Sequence, residues 1–475
     1  MKPSFIKYTV TVALCFIYIS LTAQTQLKGK VADFLTFAPI ESASIYVQNT
    51  TTGTVSNADG KFALVVPNEY VKDTLIISSI GYKSFKVPIS DFNPAEDIYL
   101  EEDIASLDEV VLVAETRPKT GNDIVLRAIE ELPETLPEKP FLQKGFLRHK
   151  ERNKKEYKWL IESALTFYDE TDTLAGKRKK VKVNVDETRK SYDLRDVDSL
   201  YAYAAYLNNK SSNNSRLRSK NLRRDTIKTR SLVKAIKWND TRINGIDNLM
   251  NGKLNLIRNS NVRSAILGEK MLEQHQFLLD TVLVDEGRKV YKVKILKGQD
   301  YVGLNSKNIY NEGFEAKGWL YIYWDTFAFK RIEYELIAAS EVQRRRSKSL
   351  FDTDINHKLI ITYKEFEDKM YPNYIYYETP KLVNVGERSS IQEKRDAVNK
   401  DEQFYYTVQE ILFTEIIFDP EIVDQTIKDK EWIGDIFSIR PYNDAFWKNY
   451  NVLLESEEEE KLVEDLSKRA TLFKQ

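Results

Sequence analysis

The chain has almost no cysteine. Its single cysteine, Cys15, lies in an apolar segment at the start of the chain, and Leu14 precedes it where a lipoprotein site needs a small residue. If this segment is removed on export, no thiol is left. That excludes a disulfide, a cysteine nucleophile and a cysteine metal site in the mature protein. The core alone must then stabilise the fold.

Histidine is also scarce, since the chain has only His149, His275 and His357. None belongs to a His-Glu-x-x-His motif, and catalytic zinc typically needs a closely spaced pair of ligands on one element. We interpret each as a polar residue at a surface or strand edge. The chain also lacks a Gly-x-Ser-x-Gly elbow and a Gly-x-Gly-x-x-Gly loop. We therefore expect no catalytic residue, no metal and no cofactor.

Glycine and proline are sparse, with 17 and 13 residues, whereas tyrosine and phenylalanine contribute 27 and 22. This balance favours long β-strands with some helix. The formal net charge of −1 does not indicate nucleic-acid binding, so no nucleic acid is expected as a partner. About 450 residues follow the first apolar segment, which is more than one core usually supports, so two or three domains are expected.

The first apolar segment has the pattern of a secretory signal peptide. Lys2 and Lys7 precede an apolar run that ends at Leu21. Ala23 supplies the small residue before a cleavage site. The run is shorter than the ~20 residues that cross a bilayer, which argues against a membrane anchor. We place cleavage after Ala23 and expect an exported protein with no transmembrane span afterwards.

Residues 27–100 contain short stretches in which apolar and polar side chains alternate, as in strands with one buried face. Two of them, 43–48 and 61–66, flank a turn in which Gly60 is free to adopt positive φ. A further stretch at 74–79 is followed by Gly81. Five or more short strands at this spacing predict a small sandwich.

Asp59 in this turn raises the question of calcium binding. An EF-hand loop would need an acid four residues earlier and a glutamate seven residues later, but Val55 and Val66 stand there. An ordinary β-turn is the better interpretation.

Several motifs occur here in a fixed order. They are Gly29-Lys30-Val31, Pro39 to Ala43, Gly53 to Phe62, and Ser79-Ile80-Gly81-Tyr82. In this order they resemble the carboxypeptidase regulatory-like domain, a transthyretin-like β-sandwich of about seven strands. That family occurs beside zinc carboxypeptidases and at the front of TonB-dependent outer-membrane receptors of Gram-negative bacteria. The resemblance implies a protein of the periplasm or associated with the outer membrane, and the histidine spacing gives no support for a peptidase.

Residues 104–140 are predicted to form a linker with one short helix. Asn122 is expected to cap a helix that starts at Asp123 and that Pro133 ends after Leu132. Ser106 to Val113 resembles the segment that joins the regulatory-like domain to a receptor plug. No plug sequence and no barrel-sized set of strands follows, so a receptor is not expected.

A basic insertion is expected near residues 207–237, beginning with a polar loop rich in asparagine and serine. Its candidate anion-binding residues are Arg216, Arg218, Lys220, Arg223 and Arg224. Phosphates of lipids or another polyanion are the ligands that such a cluster suits. A solvated surface is the alternative, because basic tracts usually face solvent.

Alternating strands dominate from Phe277 to Phe418 and predict successive antiparallel hairpins, hence a curved sheet or half-barrel. A glycine-led strand, an Asp-Thr turn and a returning strand resemble, less specifically, the half-barrel of lipoprotein-carrier proteins. In that family the sheet can hold acyl chains. The residues that would line a ligand site here are Trp319, Tyr321, Tyr323, Trp324, Phe327 and Phe329. The alternative is that these aromatic side chains belong to an ordinary core.

The chain is thus predicted to be mainly β. We expect a signal peptide (1–23), a transthyretin-like sandwich (24–103), the linker, an antiparallel β domain with accessory helices (141–440) and a helical tail (441–475). The leading hypothesis is a non-enzymatic cell-envelope binding or scaffold protein, with an envelope protein or a lipid as partner. The second is a periplasmic carrier or sensor of a lipophilic ligand. The third is a hydrolase whose site is assembled from distant residues.

Overall fold

The protein is described by a computed structural model. The residues it describes are 25–103, 117–152, 157–171, 181–192, 199–210, 221–244, 246–251, 275–298, 314–338, 341, 344–345, 347–348, 353–384, 402–437 and 440–467. The predicted signal peptide lies outside these residues, as do Arg216, Arg218 and Lys220.

The first part of the chain is a small sandwich of two sheets. Its strands are β1 (Thr25–Asp33), β2 (Ser44–Val47), β3 (Gly53–Val55), β4 (Lys61–Val66), β5 (Thr74–Ser78), β6 (Phe85–Pro88) and β7 (Ile98–Leu100). One sheet has the order β4-β1-β7 and the other β3-β2-β5-β6. Val31 and Phe62 from the first sheet pack with Ile45 and Ile77 from the second in one apolar core. The predicted sandwich is confirmed.

The turn between β3 and β4 requires glycine. Gly60 has φ +75°, and a Cβ built there would lie 2.2 Å from the carbonyl oxygen of Val31. Asp59 in this turn accepts a hydrogen bond from the backbone N–H of Glu457, at 2.8 Å. The turn thus supports a contact between distant parts of the chain.

The second part is one large antiparallel sheet, which is not closed into a barrel. Its strands are β8 (Phe141–Arg152), β9 (Tyr157–Asp169), β10 (Lys182–Tyr192), β11 (His275–Asp285), β12 (Arg288–Gly298), β13 (Phe314–Tyr323), β14 (Phe329–Ala338), β15 (Ile355–Phe366), β16 (Lys369–Asn384) and β17 (Glu402–Ile417). Their order is β10-β9-β8-β17-β16-β15-β14-β13-β12-β11. The large sheet and its hairpins were predicted, and the structure confirms them.

Alternation along the strands gives the large sheet two different faces. The first face carries the largest apolar cluster of the described residues, which includes Leu320, Ile332 and Ile361. These residues are neighbours in the strand register, so they form a continuous apolar row. The second face carries the residues between them, among them Trp319 and Glu333. We keep the names first face and second face below.

Eight helices occur among the described residues, and several pack on this sheet. They are α1 (Gly121–Glu130), α2 (Leu132–Thr135), α3 (Ser199–Lys210), α4 (Thr229–Asn244), α5 (Ile246–Asn251), α6 (Pro420–Asp429), α7 (Asp444–Lys448) and α8 (Glu457–Ser467). Ile124 and Val125 of α1 join the apolar cluster of the first face. Leu462 and Leu466 of α8 pack against Leu160 of β9. Within the described part of the chain, no helix is long and apolar enough to span a membrane.

The predicted start and end of the linker helix were wrong. Thr120 is the N-cap, because its hydroxyl accepts from the N–H of Asp123 at 3.1 Å. The side chain of Asn122 instead accepts from the N–H of Phe277, at 2.9 Å. Pro133 does not end ordered helix either, since it stands in the first turn of α2, where its missing N–H costs no hydrogen bond.

The predicted polar loop of the basic insertion was wrong at its beginning. Asn208 and Asn209 belong to α3, which ends at Lys210. Ala202 of this helix packs against Ala235 and Ile236 of α4. A helix pair with an apolar seam therefore flanks the basic residues, and local polarity alone did not reveal it.

The prediction that the three histidines lie at a surface or strand edge was also wrong. His149, His275 and His357 are 0, 2 and 4% exposed, and all three lie on the first face of the large sheet. His275 Nε2 is 2.9 Å from the hydroxyl of Tyr334, and His357 Nδ1 is 3.1 Å from that of Tyr377. Tyrosine hydroxyls thus supply polar partners for two of the buried histidines, and the side-chain amide of Gln409 lies 3.2 Å from Nδ1 of His149.

Candidate functional site

The sandwich is docked on the large sheet by backbone contacts as well as side chains. The hydroxyl of Thr51 donates to the carbonyl of Ile416 and accepts from the N–H of the same residue, both at 3.1 Å. The N–H of Gly81 donates to the carbonyl of Val284 at 2.7 Å. Val55 of β3 joins an apolar cluster with residues of the sheet and of the C-terminal segment. The contact surface between these parts is called the junction below.

A cavity of about 300 Å³ lies within the junction. The sandwich contributes Ser44, Tyr46 and Thr54 to its wall. The sheet contributes residues from five strands or their connections, among them Arg288, Tyr323, Lys330 and Lys364. We call it the junction cavity. Its volume is at the lower end of the range for small-molecule sites, and most of the residues that line it are polar.

Most charged groups around the junction cavity have partners. Asp285, which is 1% exposed, accepts from the hydroxyl of Tyr323 at 2.8 Å and lies 3.1 Å from Lys330 Nζ. Burial and the charge of Asp285 raise the pKa of Tyr323, so its hydroxyl remains a donor. Burial opposes the charge of Lys330, but Asp285 holds the pKa of this lysine well above its usual value.

Glu286 joins the sandwich to the large sheet. Its carboxylate accepts from the hydroxyl of Tyr46 at 2.6 Å and from that of Ser78 at 2.9 Å. Burial and this carboxylate raise the pKa of Tyr46, which keeps its hydroxyl protonated. Two residues further on, Arg288 pairs with the carboxylate of Asp325 at 2.8 Å. These pairs leave few unsatisfied charges on the sheet side of the junction.

Lys364 is the exception. Its Nζ donates to the carbonyl of Thr50 at 2.9 Å and lies 4.6 Å from the ring centroid of Tyr46. It forms no ion pair with any residue that the structure describes. Burial and the nearby charge of Lys330 lower the pKa of Lys364 to about 7, although Glu286 partly opposes the shift. The amine is therefore poised between its charged and neutral forms near neutral pH.

Thr54 is the second unusual group in the cavity wall. Its side chain is only 2% exposed, and its hydroxyl has no hydrogen-bond partner among the described residues. Leaving a buried hydroxyl unpaired costs about 1–3 kcal/mol, so such groups normally have a partner. Thr54 is the register partner of Ile45, which is buried in the core of the sandwich, so this hydroxyl faces that core and not the junction cavity.

A second cavity of about 250 Å³ lies between the sandwich turn, the sheet and the C-terminal segment. Tyr374 and Tyr376 contribute hydroxyls that donate to Glu410 and Glu378. Lys150 also pairs with Glu410, at 3.1 Å. The polar groups in this wall bind one another, so the second cavity offers less to a ligand than the junction cavity.

An ionic network beside this second cavity anchors the C-terminal segment. Arg148, which is 2% exposed, donates to Glu162 at 2.8 Å, to Glu459 at 3.0 Å and to the carbonyl of Leu453 at 2.8 Å. Arg189 donates to the other oxygen of Glu162 at 2.6 Å. Burial acts against the charge of Glu459, but Arg148 and its neighbours lower its pKa to about 2. The network is best explained as a structural anchor.

The six aromatic residues predicted to line a ligand site do not share one surface. Trp319, Tyr321 and Tyr323 lie on the second face, whereas Phe329 is buried in the apolar cluster of the first face. The remaining two, Trp324 and Phe327, belong to the turn between β13 and β14. They pack beside Tyr291, with ring centroids 4.7 and 6.2 Å away, and beside Arg117. Ligand binding by the set stays a prediction.

Only two of the five predicted anion-binding residues, Arg223 and Arg224, lie among the described residues. Arg223 and Arg224 are exposed beside a short 3-10 turn that begins at Arg224. Their exposure agrees with either anion binding or a solvated surface, so anion binding stays a prediction. In the described part of the chain, no group of three or more histidine, cysteine, aspartate or glutamate side chains is placed to hold a metal ion.

Sequence reasoning missed Lys364 and Thr54. Lys364 follows an ordinary alternating strand pattern, in which an outward lysine is expected to face water. Thr54 is one of several threonines in the stretch 50–54. Neither belongs to a motif, and only the docking of the sandwich on the sheet brings them to one cavity. No local signal would have identified them.

The structure therefore defines a two-part protein whose regulatory-like sandwich is docked on a large open sheet. Residues 27–112 match the family model described as CarboxypepD_reg-like domain, as the N-terminal motifs predicted. A curated relative, the TonB-dependent receptor SusC of Bacteroides thetaiotaomicron, is 31% identical over 115 residues. That alignment covers 24% of this chain and spans 11% of the receptor's length.

The solved structures to which the chain is similar are more distant. A DUF1329 family protein from Desulfovibrio piger is 10% identical, with 65% of this chain and 96% of that chain covered and a TM-score of 0.25. A LolA superfamily protein from Nitrosomonas europaea is 11% identical, with 66% of this chain and all of that chain (100%) covered and a TM-score of 0.21. At these scores neither structure bears on the function of this chain.

Proposed function

We propose that this protein is a non-enzymatic binding or scaffold protein of the cell envelope, and that it binds a small polar molecule in the junction cavity. The match of residues 27–112 to the regulatory-like family and the predicted signal peptide support an envelope location. An envelope protein or a lipid is the class of further partner that a scaffold role implies.

The observation that carries the proposal is the amine of Lys364 in the wall of a cavity built from two parts of the chain. A cavity that served only to fill space would be lined by apolar groups, because buried polar groups need partners. Here Lys364 has no ion-pair partner among the described residues and donates only to the carbonyl of Thr50. A bound polar molecule would give this amine a further partner.

Native mass spectrometry tests this function. The full chain is expressed with its predicted signal peptide, exported in a Gram-negative host and purified without denaturant, and its native mass is compared with its denatured mass. We expect a small added mass in the native spectrum that the variant Lys364→Met loses. The exposed substitution Leu35→Ser is the control and should retain it. Native protein that repeatedly shows its own mass alone contradicts the proposal.

A carrier of a lipophilic ligand is the second candidate. The observation that favours it is the alignment of Trp319, Tyr321 and Tyr323 along one side of β13. The same spectra separate the two functions, because an acyl lipid and a small polar molecule differ in mass. A lipid that is retained by the Lys364→Met protein but lost by Trp319→Ser would favour the carrier.

A further inference from the structure

The turn that follows β1 exposes several apolar side chains. Phe34, Leu35 and Phe37 of this turn are 50, 72 and 66% exposed, and Tyr99 of the neighbouring strand β7 is 42% exposed. The rings of Phe37 and Tyr99 are in contact, with centroids 5.5 Å apart and planes at 84°. The four side chains therefore lie together near the ends of β1 and β7, and we call them the apolar tip.

The segment that forms the tip carries no charge. Residues 34–40 contain no acidic or basic side chain, although charged residues make up 30% of the chain. Asp33, at the base of the turn, is only 5% exposed. Its carboxylate accepts from the N–H groups of Leu35 and Thr36, at 3.0 and 2.6 Å, and from the hydroxyl of Thr36 at 2.8 Å. These bonds fix the turn and keep the charge of Asp33 at its base.

Phe37 adopts a backbone conformation that phenylalanine disfavours. Its φ is +58°, in the left-handed region where glycine and asparagine are the usual residues. Most of its side chain is exposed, so packing within the fold offsets little of the cost of a bulky residue at this position. A backbone outlier that the fold does not explain is a reason to look for a function.

The size of the apolar tip indicates what it binds. With these exposed fractions the four side chains present roughly 400–500 Å², since a large apolar side chain covers about 150–250 Å². A stable protein–protein interface buries about 800 Å² on each partner and has a polar rim. The tip is smaller than this, and its turn has no charged side chain for a rim. The boundary of a lipid bilayer requires neither, because apolar and aromatic side chains enter it without a matched partner surface.

We propose that the apolar tip inserts into the surface of a lipid bilayer and holds the sandwich against a membrane of the envelope. Phe34, Leu35 and Phe37 enter the boundary between head groups and acyl chains, and Tyr99 suits the head-group level, where tyrosine is enriched. Because Asp33 already fixes the turn, insertion costs little conformational entropy. The proposal selects a lipid surface from the partners that the scaffold role implies, and it does not depend on the junction cavity.

The lack of charge distinguishes this mode of binding from electrostatic attachment. Basic residues bind a membrane more tightly when it contains anionic lipid, and salt weakens that attraction. Insertion of apolar side chains depends on the buried apolar area instead. Binding through the tip should therefore be similar on neutral and anionic vesicles and should persist at high salt. Binding through the exposed Arg223 and Arg224 would show the opposite behaviour.

Vesicle flotation tests the proposal. The full chain is expressed with its predicted signal peptide, exported and purified, and then mixed with vesicles of phosphatidylcholine, with or without phosphatidylglycerol, at low and at high salt. We expect similar flotation under all these conditions. Leu35→Ser should weaken binding by about tenfold or more, because it removes an exposed apolar side chain from the tip. Ile422→Ser is the matched control, since Ile422 is 48% exposed but lies on α6 beside Glu421.

A second variant separates a role in membrane binding from a role in the fold. Phe37→Asn removes the ring and places at positive φ a residue that tolerates this conformation. We expect vesicle binding to weaken by about tenfold while the unfolding temperature does not fall. A residue needed only for the fold would give the reverse, a lower unfolding temperature with unchanged flotation.

The scarcity of cysteine allows a probe to be placed at the tip itself. The only cysteine, Cys15, lies in the predicted signal peptide. Leu35→Cys labelled with an environment-sensitive dye should become more fluorescent when vesicles are added. The same dye on Ile422→Cys should not respond.

The proposal is overturned if the protein floats with neither kind of vesicle, if flotation requires phosphatidylglycerol or is lost at high salt, or if Leu35→Ser floats like the original chain. Analytical ultracentrifugation tests the other occupant, a second copy, and a dimer that Leu35→Ser converts to a monomer would also overturn it. Leu35→Ser should keep the small added mass expected in native mass spectra. Failure of membrane binding is thus distinguishable from failure of the junction cavity to bind a molecule.

Discussion

Two neighbouring rows of side chains cross the large sheet, one on each of its faces. The row on the first face is Leu320, Ile332, Ile361, Ile375, Ile411 and Leu147. The adjacent row on the second face is Trp319, Glu333, Ile360, Tyr376, Glu410, Arg148 and Glu162. The row on the first face is thus uniformly apolar, while the row on the second face is largely charged and aromatic.

The difference shows that the two faces hold their neighbours in different ways. Apolar packing on the first face is strong but not directional, so it stabilises the sheet without specifying one exact neighbour. On the second face, Arg148 and Glu162 are almost completely buried. Buried ions are costly unless each has its partners in place, so such contacts fix the positions of the C-terminal segment and the sandwich. Substitutions on the two faces should therefore have different consequences.

The largest effect is expected on the first face. Phe329 is 2% exposed in the apolar cluster, and Phe329→Ala should lower the free energy of unfolding by about 3–5 kcal/mol. Urea denaturation measures the change. Trp319→Ala, one strand away on the second face and partly exposed, is the control and should cost less. Equal losses for the two variants would contradict the comparison.

A smaller loss is expected from the ionic network. Arg148→Met leaves Glu162 and Glu459 buried without one of their cations, which should cost about 3 kcal/mol, since Arg189 and Lys150 still pair with them. The C-terminal segment should also become more sensitive to protease. Arg224→Met, at an exposed position, should change neither quantity. Unaltered protease sensitivity in Arg148→Met would show that the network does not hold the segment.

Acid should reduce the stability contributed by the two faces in two different pH ranges. Burial lowers the pKa of His357 to about 4, so the unfolded chain binds a proton below about 6.5 that the folded chain does not. Stability should fall by about 1.4 kcal/mol per pH unit between pH 6.5 and 4 through this residue, and His357→Phe should remove that part. Glu459, with its pKa lowered to about 2, contributes stability that is present above pH 4.5 and is lost as the pH falls toward 2.

A pH series of urea denaturation curves tests this separation. Comparing the original chain with His357→Phe gives the contribution of His357 to the free energy of unfolding above pH 4. Comparing it with Glu459→Gln gives the contribution of Glu459 below pH 4.5. If His357→Phe leaves the acid dependence unchanged between pH 6.5 and 4, the buried histidine does not behave as its position indicates.

The smallest effect is expected away from both faces. Leu35 in the sandwich is 72% exposed, and Leu35→Ser should change the free energy of unfolding by less than about 0.5 kcal/mol. Thermal denaturation is the measurement. A larger loss would indicate that the exposed part of the sandwich contributes to the fold beyond the contacts described above.

Local patterns predicted much of the architecture. The turn at Gly60 and the hairpins of β13–β16 follow from alternation and turn residues, and the structure agrees. Details that depend on distant neighbours were not predictable. Asn122 has a good capping side chain, but Phe277 from a strand far along the chain takes its hydrogen bond, so Thr120 caps the helix instead.

The candidate site was less predictable than the fold. The aromatic residues of β13, β14 and the turn between them stood out by type, but their division between two faces depends on strand register and on the bulge after Tyr321. The histidines were predicted wrongly because the side chains that give them polar partners in the core, Tyr334, Tyr377 and Gln409, come from other strands. Lys364 and Thr54 gave no signal, since nothing in a strand pattern shows which polar residue another part of the chain will cover.

The amino-acid sequence by itself determined the scarcity of thiols, the sandwich motifs and the alternation that makes one face of the large sheet apolar, because these depend on residue type and on neighbours a few positions away. Only the tertiary structure decided what covers the second face. The docking of the sandwich, through Thr51 and Glu286, places the carbonyl of Thr50 and the ring of Tyr46 beside Lys364 and partly buries this lysine, which lowers its pKa. Solvent exposure is set by contacts between distant segments, and so are the charges that depend on it.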